Sequence, residues 1–130
     1  MSDFIEGLEI LKGILPPNSL AFAVKILMEA GVRSICFKED RCAWGMSLLG
    51  VPGACDIGEK KIDLDLGMDL NRPQELIRRW HKIEISLREA PLWILLHEVG
   101  HVVRGSSQDL AEKFAKEKFL EWRSSTIKIS

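Results

Sequence analysis

The chain has 130 residues, 46% of them hydrophobic, which is enough to bury the core of one compact domain. We therefore expect a single domain over residues 1–130. Eighteen Lys and Arg residues nearly balance nineteen Asp and Glu residues, and the formal net charge is −1. A balance of this kind gives no basic field that would attract nucleic acid or an anionic membrane, so neither is expected as a partner.

The N-terminus and the cysteines predict a cytoplasmic protein. Three acidic residues fall within the first nine positions, where a secretory signal would carry positive charge, and no uncharged apolar run approaches the length of a membrane span. The cysteines are odd in number and lack the spacing of a disulfide framework or a zinc ribbon: Cys36, Cys42 and Cys55. These features favour a reducing compartment.

Two helices are predicted at the N-terminal end. The first is amphipathic and covers residues 3–14, and the second begins at Asn18 as its N-cap and ends at Gly31, which supplies a left-handed stop. Four apolar residues of the second helix are predicted to share its buried face: Leu20, Val24, Leu27 and Met28.

From residue 32 onward, side chains alternate along the chain with the two-residue period of a strand. Residues 32–38 predict a buried strand, and the stretch after it contains Gly-rich turns. In residues 61–66, Lys61, Asp63 and Asp65 alternate with three apolar residues, which predicts a half-exposed strand. We expect a small sheet of three or four strands that ends in this half-exposed strand.

A surface helix is predicted to follow, ending before Pro91. Its apolar stripe has spacings of four, three and four: Leu76, Trp80, Ile83 and Leu87. His81 lies among basic residues of this helix and is predicted to be a solvated surface histidine.

The next helix is predicted to begin at Pro91 and to end near Gly105. It is apolar on nearly every side and should lie in the middle of the fold, yet its sequence LWILLHEVGHVV contains two histidines and a glutamate. Burying an ionised carboxylate without a partner is very costly, so something must compensate for Glu98.

Residues 97–101 form the pattern H-E-x-x-H. On a helix, His97 and His101 lie one turn apart on the same face and can hold one zinc ion, while Glu98 reaches a water at the metal. A chance match in a chain of this length has a probability of roughly one or two percent. The alternative interpretation is two hydrogen-bonded core histidines and a paired Glu98.

The alternating strand KKIDLDLG, the helix after it, LLHEVGHVV and the final LAEKFAKEKF together resemble the ImmA/IrrE family of zincin metallopeptidases over roughly residues 32–120. The resemblance implies an α+β minimal-zincin domain with N-terminal helices, a three- to four-stranded sheet, a central HExxH helix and a C-terminal helix. It also implies that the strand KIDLDL lies at the edge of this sheet. It also implies zinc-dependent hydrolysis of peptide bonds, with Glu98 as the general base and a regulatory protein, such as a transcriptional repressor, as substrate.

The third zinc ligand departs from the family pattern. The position of the family's ligating Glu falls on Gln108, within QDLAEKFA, and a neutral amide is a poor zinc ligand. We therefore predict Asp109 as the third ligand beside His97 and His101, although a carboxylate in the first turn of a helix is also explained by the helix dipole. Glu112 is assigned to the polar face of the last helix and is a poorer candidate.

Two functions remain open from the sequence. The first is a zinc metallopeptidase acting on a protein or peptide. The second is a catalytically inactive zincin-fold module that binds a partner through its cleft, which the missing ligand Glu makes credible. Nothing in the sequence specifies the substrate or the oligomeric state.

Overall fold

The computed structural model describes residues 2–37, 53–64 and 70–129. Within these ranges the chain is α+β, as the sequence predicts. The helices are α1 (Ser2–Lys12), α2 (Pro17–Ala30), α3 (Asn71–His81), α4 (Ala90–Arg104) and α5 (Gln108–Ile129), and the strands are β1 (Ser34–Phe37), β2 (Gly53–Asp56) and β3 (Lys61–Leu64). Among the described helices, none combines the length and the apolar character needed to cross a membrane.

The N-terminal helices form where they are predicted, but α2 begins differently. Pro17 occupies the first turn, where its fixed φ suits a helix and its missing N–H costs nothing. Pro16 is the N-cap, so the prediction that Asn18 caps the helix is wrong. Gly31 ends α2 in the left-handed conformation at φ 73°, as predicted. Met28 is 67% exposed and is wrongly assigned to the buried face, which is made of Ser19, Phe22, Ala23, Ile26 and Leu27.

The three strands pair in the order β1-β3-β2. β3 runs parallel to β1 and antiparallel to β2. The prediction that this strand lies at the sheet edge is therefore wrong for its described part, because β3 pairs on both sides. Asp63 is only 9% exposed, so the outward, half-exposed position predicted for it is also wrong. Asp65 falls outside the described residues.

The helix after the sheet is shorter than predicted. α3 ends at His81, and Lys82 follows in the left-handed conformation at φ 59°. The chain turns there, and Ile85 from the segment beyond the helix is buried. Trp80 is 64% exposed and Leu87 is 45% exposed, so the predicted four-residue stripe does not form the buried face.

α4 lies at the centre of the molecule, as its apolar sequence predicts. Nearly all of its residues from Ala90 to His101 are buried, and it packs against α2, the sheet and α5. At Gly100 the two last helices approach closely: a Cβ there would lie 2.9 Å from the carbonyl oxygen of Ala111 and 3.2 Å from the Cβ of Phe114. This approach brings the first turns of α5 beside the histidines of α4.

Candidate functional site

His97 and His101 lie on one face of α4, with ring centroids 4.9 Å apart and ring planes at 81°. His101 is 6% exposed, and its Nδ1 lies 2.9 Å from the carbonyl oxygen of Gly105. Because a carbonyl oxygen only accepts, Nδ1 must carry the proton. The ring nitrogen of His101 that can offer a lone pair to a ligand is therefore Nε2.

Both ring nitrogens of His97 contact α5. Nδ1 lies 2.5 Å from Oε2 of Glu112, and Nε2 lies 2.9 Å from Oε1 of Gln108. Burial lowers the pKa of His97, but the hydrogen bond to Glu112 and the charges of Glu98 and Glu112 outweigh it, and the net shift is upward. Because a carboxylate oxygen only accepts, Nδ1 carries a proton and donates it to Glu112, while Nε2 faces the side-chain amide of Gln108.

Glu112 accepts hydrogen bonds from three side chains. Besides His97, these are His81, whose Nε2 lies 2.9 Å from Oε1, and Trp93, whose Nε1 lies 3.3 Å from Oε2. Burial raises the pKa of Glu112, but the hydrogen bonds from His97 and His81 outweigh it and hold this pKa below its ordinary value. Glu112 is therefore an ionised acceptor shared by donors from α3 and α4.

Sequence reasoning missed this cluster. It assigned Glu112 to the polar face of the last helix and His81 to the solvated surface, whereas their side chains are only 23% and 15% exposed. The pattern of a single helix does not predict this contact, because the close approach at Gly100 determines which face of α5 packs against α4. One available signal was Trp93 in the apolar helix, since a buried indole N–H usually has an acceptor.

Glu98 is 5% exposed, and its Oε1 has no hydrogen-bond partner in the part of the chain that the structure describes. Burial raises its pKa to about 7; His97 lowers this pKa, while Asp63 and Glu112 raise it. Glu98, whose buried charge was expected to need a compensating partner, thus lies at the centre of the fold. A carboxylate with this pKa can both take and return a proton near neutral pH.

The predicted third ligand does not join the histidines. Asp109 is exposed in the first turn of α5, where the helix dipole favours a carboxylate. Over residues 2–37, 53–64 and 70–129, no group of three or more His, Cys, Asp and Glu side chains is placed to hold a metal. Gln108 contacts His97 instead. The set His97, His101 and Asp109 is therefore not brought together.

A scan against models of known protein families found no match for this chain, and neither did searches of curated proteins and of solved structures.

Proposed function

We propose that this chain is a zinc-dependent metallopeptidase of the ImmA/IrrE-like zincin type, in which His97 and His101 hold the metal and Glu98 is the general base. One observation carries the proposal. The Nδ1 atoms of both histidines are occupied by protein acceptors, Glu112 and Gly105, so a metal would be held through their Nε2 atoms, and at His97 it would bind where Gln108 now contacts Nε2. Histidines that bind zinc usually donate their other ring N–H to a carboxylate or a backbone carbonyl in this way.

Two imidazoles on one helical face support the choice of zinc, because imidazole nitrogen is a common zinc ligand. A third protein donor lies next to them, since Oε1 of Gln108 is 2.9 Å from Nε2 of His97. It is an amide oxygen, which binds zinc less strongly than the carboxylate that usually completes such a site. Oε1 of Glu98 is buried without a hydrogen-bond partner among residues 2–37, 53–64 and 70–129, which also supports a site that binds something beyond these residues.

Zinc, when bound, would polarise the scissile carbonyl and make a water more acidic. Glu98 takes a proton from the attacking water, whose oxygen forms the new bond to the carbonyl carbon. The C–N bond then breaks, and Glu98 returns the proton to the leaving amine. One peptide bond and one water become a carboxylate and an amine. The buried position of Glu98 limits exchange of this proton with bulk water.

The proposed substrate is a protein or peptide, with a cytoplasmic regulatory protein as the expected type. A second function has a specific observation in its favour. Because position 108 is Gln and Asp109 is exposed, the chain could retain the zincin fold as an inactive module that binds a partner through its cleft. Zinc affinity and peptide cleavage, measured together, distinguish the two.

The sharpest test changes the third ligand. We expect Gln108→Glu to tighten zinc binding by about tenfold or more, because it places a carboxylate next to Nε2 of His97. Asp109→Ala is the matched control and should leave zinc affinity unchanged, because Asp109 is exposed. Zinc affinity is measured by competition with a chromophoric chelator, and turnover with casein or an unstructured peptide.

Zinc affinity and cleavage rate together distinguish the metallopeptidase from the binding module. Tighter zinc with faster cleavage supports the metallopeptidase. Tighter zinc without any cleavage favours the binding module. A loss of about tenfold in zinc affinity on Asp109→Ala would instead establish Asp109 as the ligand that the sequence predicts.

A further inference from the structure

We propose that Glu112 and His81 are positioning residues: together they hold the His97 ring with Nδ1 protonated and with Nε2, which faces Gln108, as the atom that would hold the metal. This inference rests on the proposed function for its catalytic meaning. The arrangement of the three side chains is independent of whether the protein is a peptidase.

The first step is the contact between Glu112 and His97. The distance of 2.5 Å joins Nδ1 to Oε2, and a carboxylate oxygen at this distance fixes the proton on Nδ1. Turning the ring over would place a C–H group against the carboxylate and break this hydrogen bond. Glu112 therefore determines both the tautomer of His97 and the direction of its Nε2.

The second step is the contact between Glu112 and His81. His81 Nε2 lies 2.9 Å from Oε1, the carboxylate oxygen that does not contact His97. With donors on both oxygens, the carboxylate group is held against rotation about its last side-chain bond. His81 thus acts on His97 through Glu112, although it touches neither His97 nor a reacting atom.

The third step is the support of His81 itself. Its ring packs on Trp93 with centroids 5.0 Å apart, and Trp93 is 1% exposed and packs on Phe119 at 5.2 Å. The indole Nε1 of Trp93 also donates to Glu112. The position of His81 is therefore fixed by the hydrophobic core, which makes it a rigid support for the carboxylate.

His101 provides an internal comparison. Its Nδ1 donates to a backbone carbonyl, that of Gly105, which no side-chain substitution removes. Changes at Glu112 or His81 should therefore alter the ring of His97 and leave the ring of His101 as it is.

The test uses Glu112→Gln, which keeps size but removes the charge, and His81→Phe, which keeps the ring packed on Trp93 but removes the donor. Glu117→Gln is the matched control, since Glu117 lies on the same helix and pairs with Arg104 at 3.1 Å on the surface. Zinc affinity is measured by chelator competition. The tautomer of each histidine is read in the metal-free protein from ¹H–¹⁵N correlation spectra of the imidazole nitrogens.

We expect Glu112→Gln to weaken zinc binding by about 10- to 100-fold, the usual effect of removing a group that orients a metal-binding histidine. We expect His81→Phe to weaken it in the same direction by a smaller factor. In both variants His97 should lose part of its Nδ1–H form, more in Glu112→Gln than in His81→Phe, while His101 and the control stay unchanged. A purely structural role would not change the tautomer of one histidine and spare the other.

Wild-type zinc affinity together with an unchanged Nδ1–H form of His97 in both variants would overturn the inference. If the unsubstituted protein binds no zinc, the proposed function fails, and the tautomer measurement alone decides the positioning roles. If Glu112→Gln does not fold, His81→Phe decides in its place, with loss of the Nδ1–H form supporting the inference and its retention overturning it.

Discussion

Replacing Glu98 with Gln should lower the rate of zinc-dependent peptide cleavage by about 10²- to 10⁴-fold. The substitution keeps the size of the side chain and leaves both histidines in place, but an amide cannot accept the proton of the attacking water. The loss should therefore appear in kcat, with zinc content and KM nearly unchanged.

This prediction is checked by measuring kcat and KM of the zinc-loaded proteins on one peptide. Glu75→Gln is a suitable control, because Glu75 is exposed and pairs with Arg79 at 2.8 Å on the surface of α3. Cleavage by Glu98→Gln within about twofold of the unsubstituted protein would show that Glu98 is not the base.

The same substitution should stabilise the zinc-free protein at alkaline pH. The pKa of Glu98 is raised by burial from 4.5 to about 7, so folding favours its neutral form. The stability that the neutral carboxyl contributes is fully present below about pH 4.5 and is lost as the pH rises through about 7. Gln is neutral throughout, so Glu98→Gln avoids this loss.

We therefore expect the two proteins to have similar free energies of unfolding near pH 4.5 and to diverge as the pH rises. At pH 8 the variant should be more stable by up to about 3 kcal/mol, at 1.36 kcal/mol for each unit of pKa. The substitution also removes the interaction by which the charge of Glu98 raises the pKa of His97, so about 3 kcal/mol is an upper limit. Urea denaturation with a chelator present, at pH 5 and pH 8, makes the comparison. A variant that is less stable than the unsubstituted protein at pH 8 would contradict it.

The sequence could predict the part of the site that depends on one helix. The spacing of His97, Glu98 and His101 places both rings on one face, because three and four residues correspond to one helical turn. The burial of this helix was also predictable, since it is apolar on nearly every side. Both inferences use only neighbours along the chain.

The rest of the site depends on contacts between elements that are distant in sequence. Glu112 reaches His97 because the helices touch at Gly100, and His81 reaches Glu112 because α3 ends beside them. Nothing in the local pattern of either helix encodes this approach. For the same reason the third ligand was assigned to Asp109, whose charge suits zinc, whereas the packing brings Gln108 to the histidines.

Errors in the fold have a similar origin. β3 alternates charged and apolar residues as an edge strand does, but strand order is set by pairing with β1 and β2, which its own sequence does not specify. The stripe through Trp80 and Leu87 has helical spacing, but α3 ends at His81. Residues beyond His81 are not part of the helix, so their spacing does not place them on its apolar face.

The most direct measurement of the central claim is the zinc content of the reconstituted protein, compared with that of a variant carrying both His97→Ala and His101→Ala. We predict about one zinc per chain in the unsubstituted protein and none in the variant, because the two imidazole Nε2 atoms are the proposed principal ligands. An unsubstituted protein that holds no zinc, or a variant that holds as much, would contradict it.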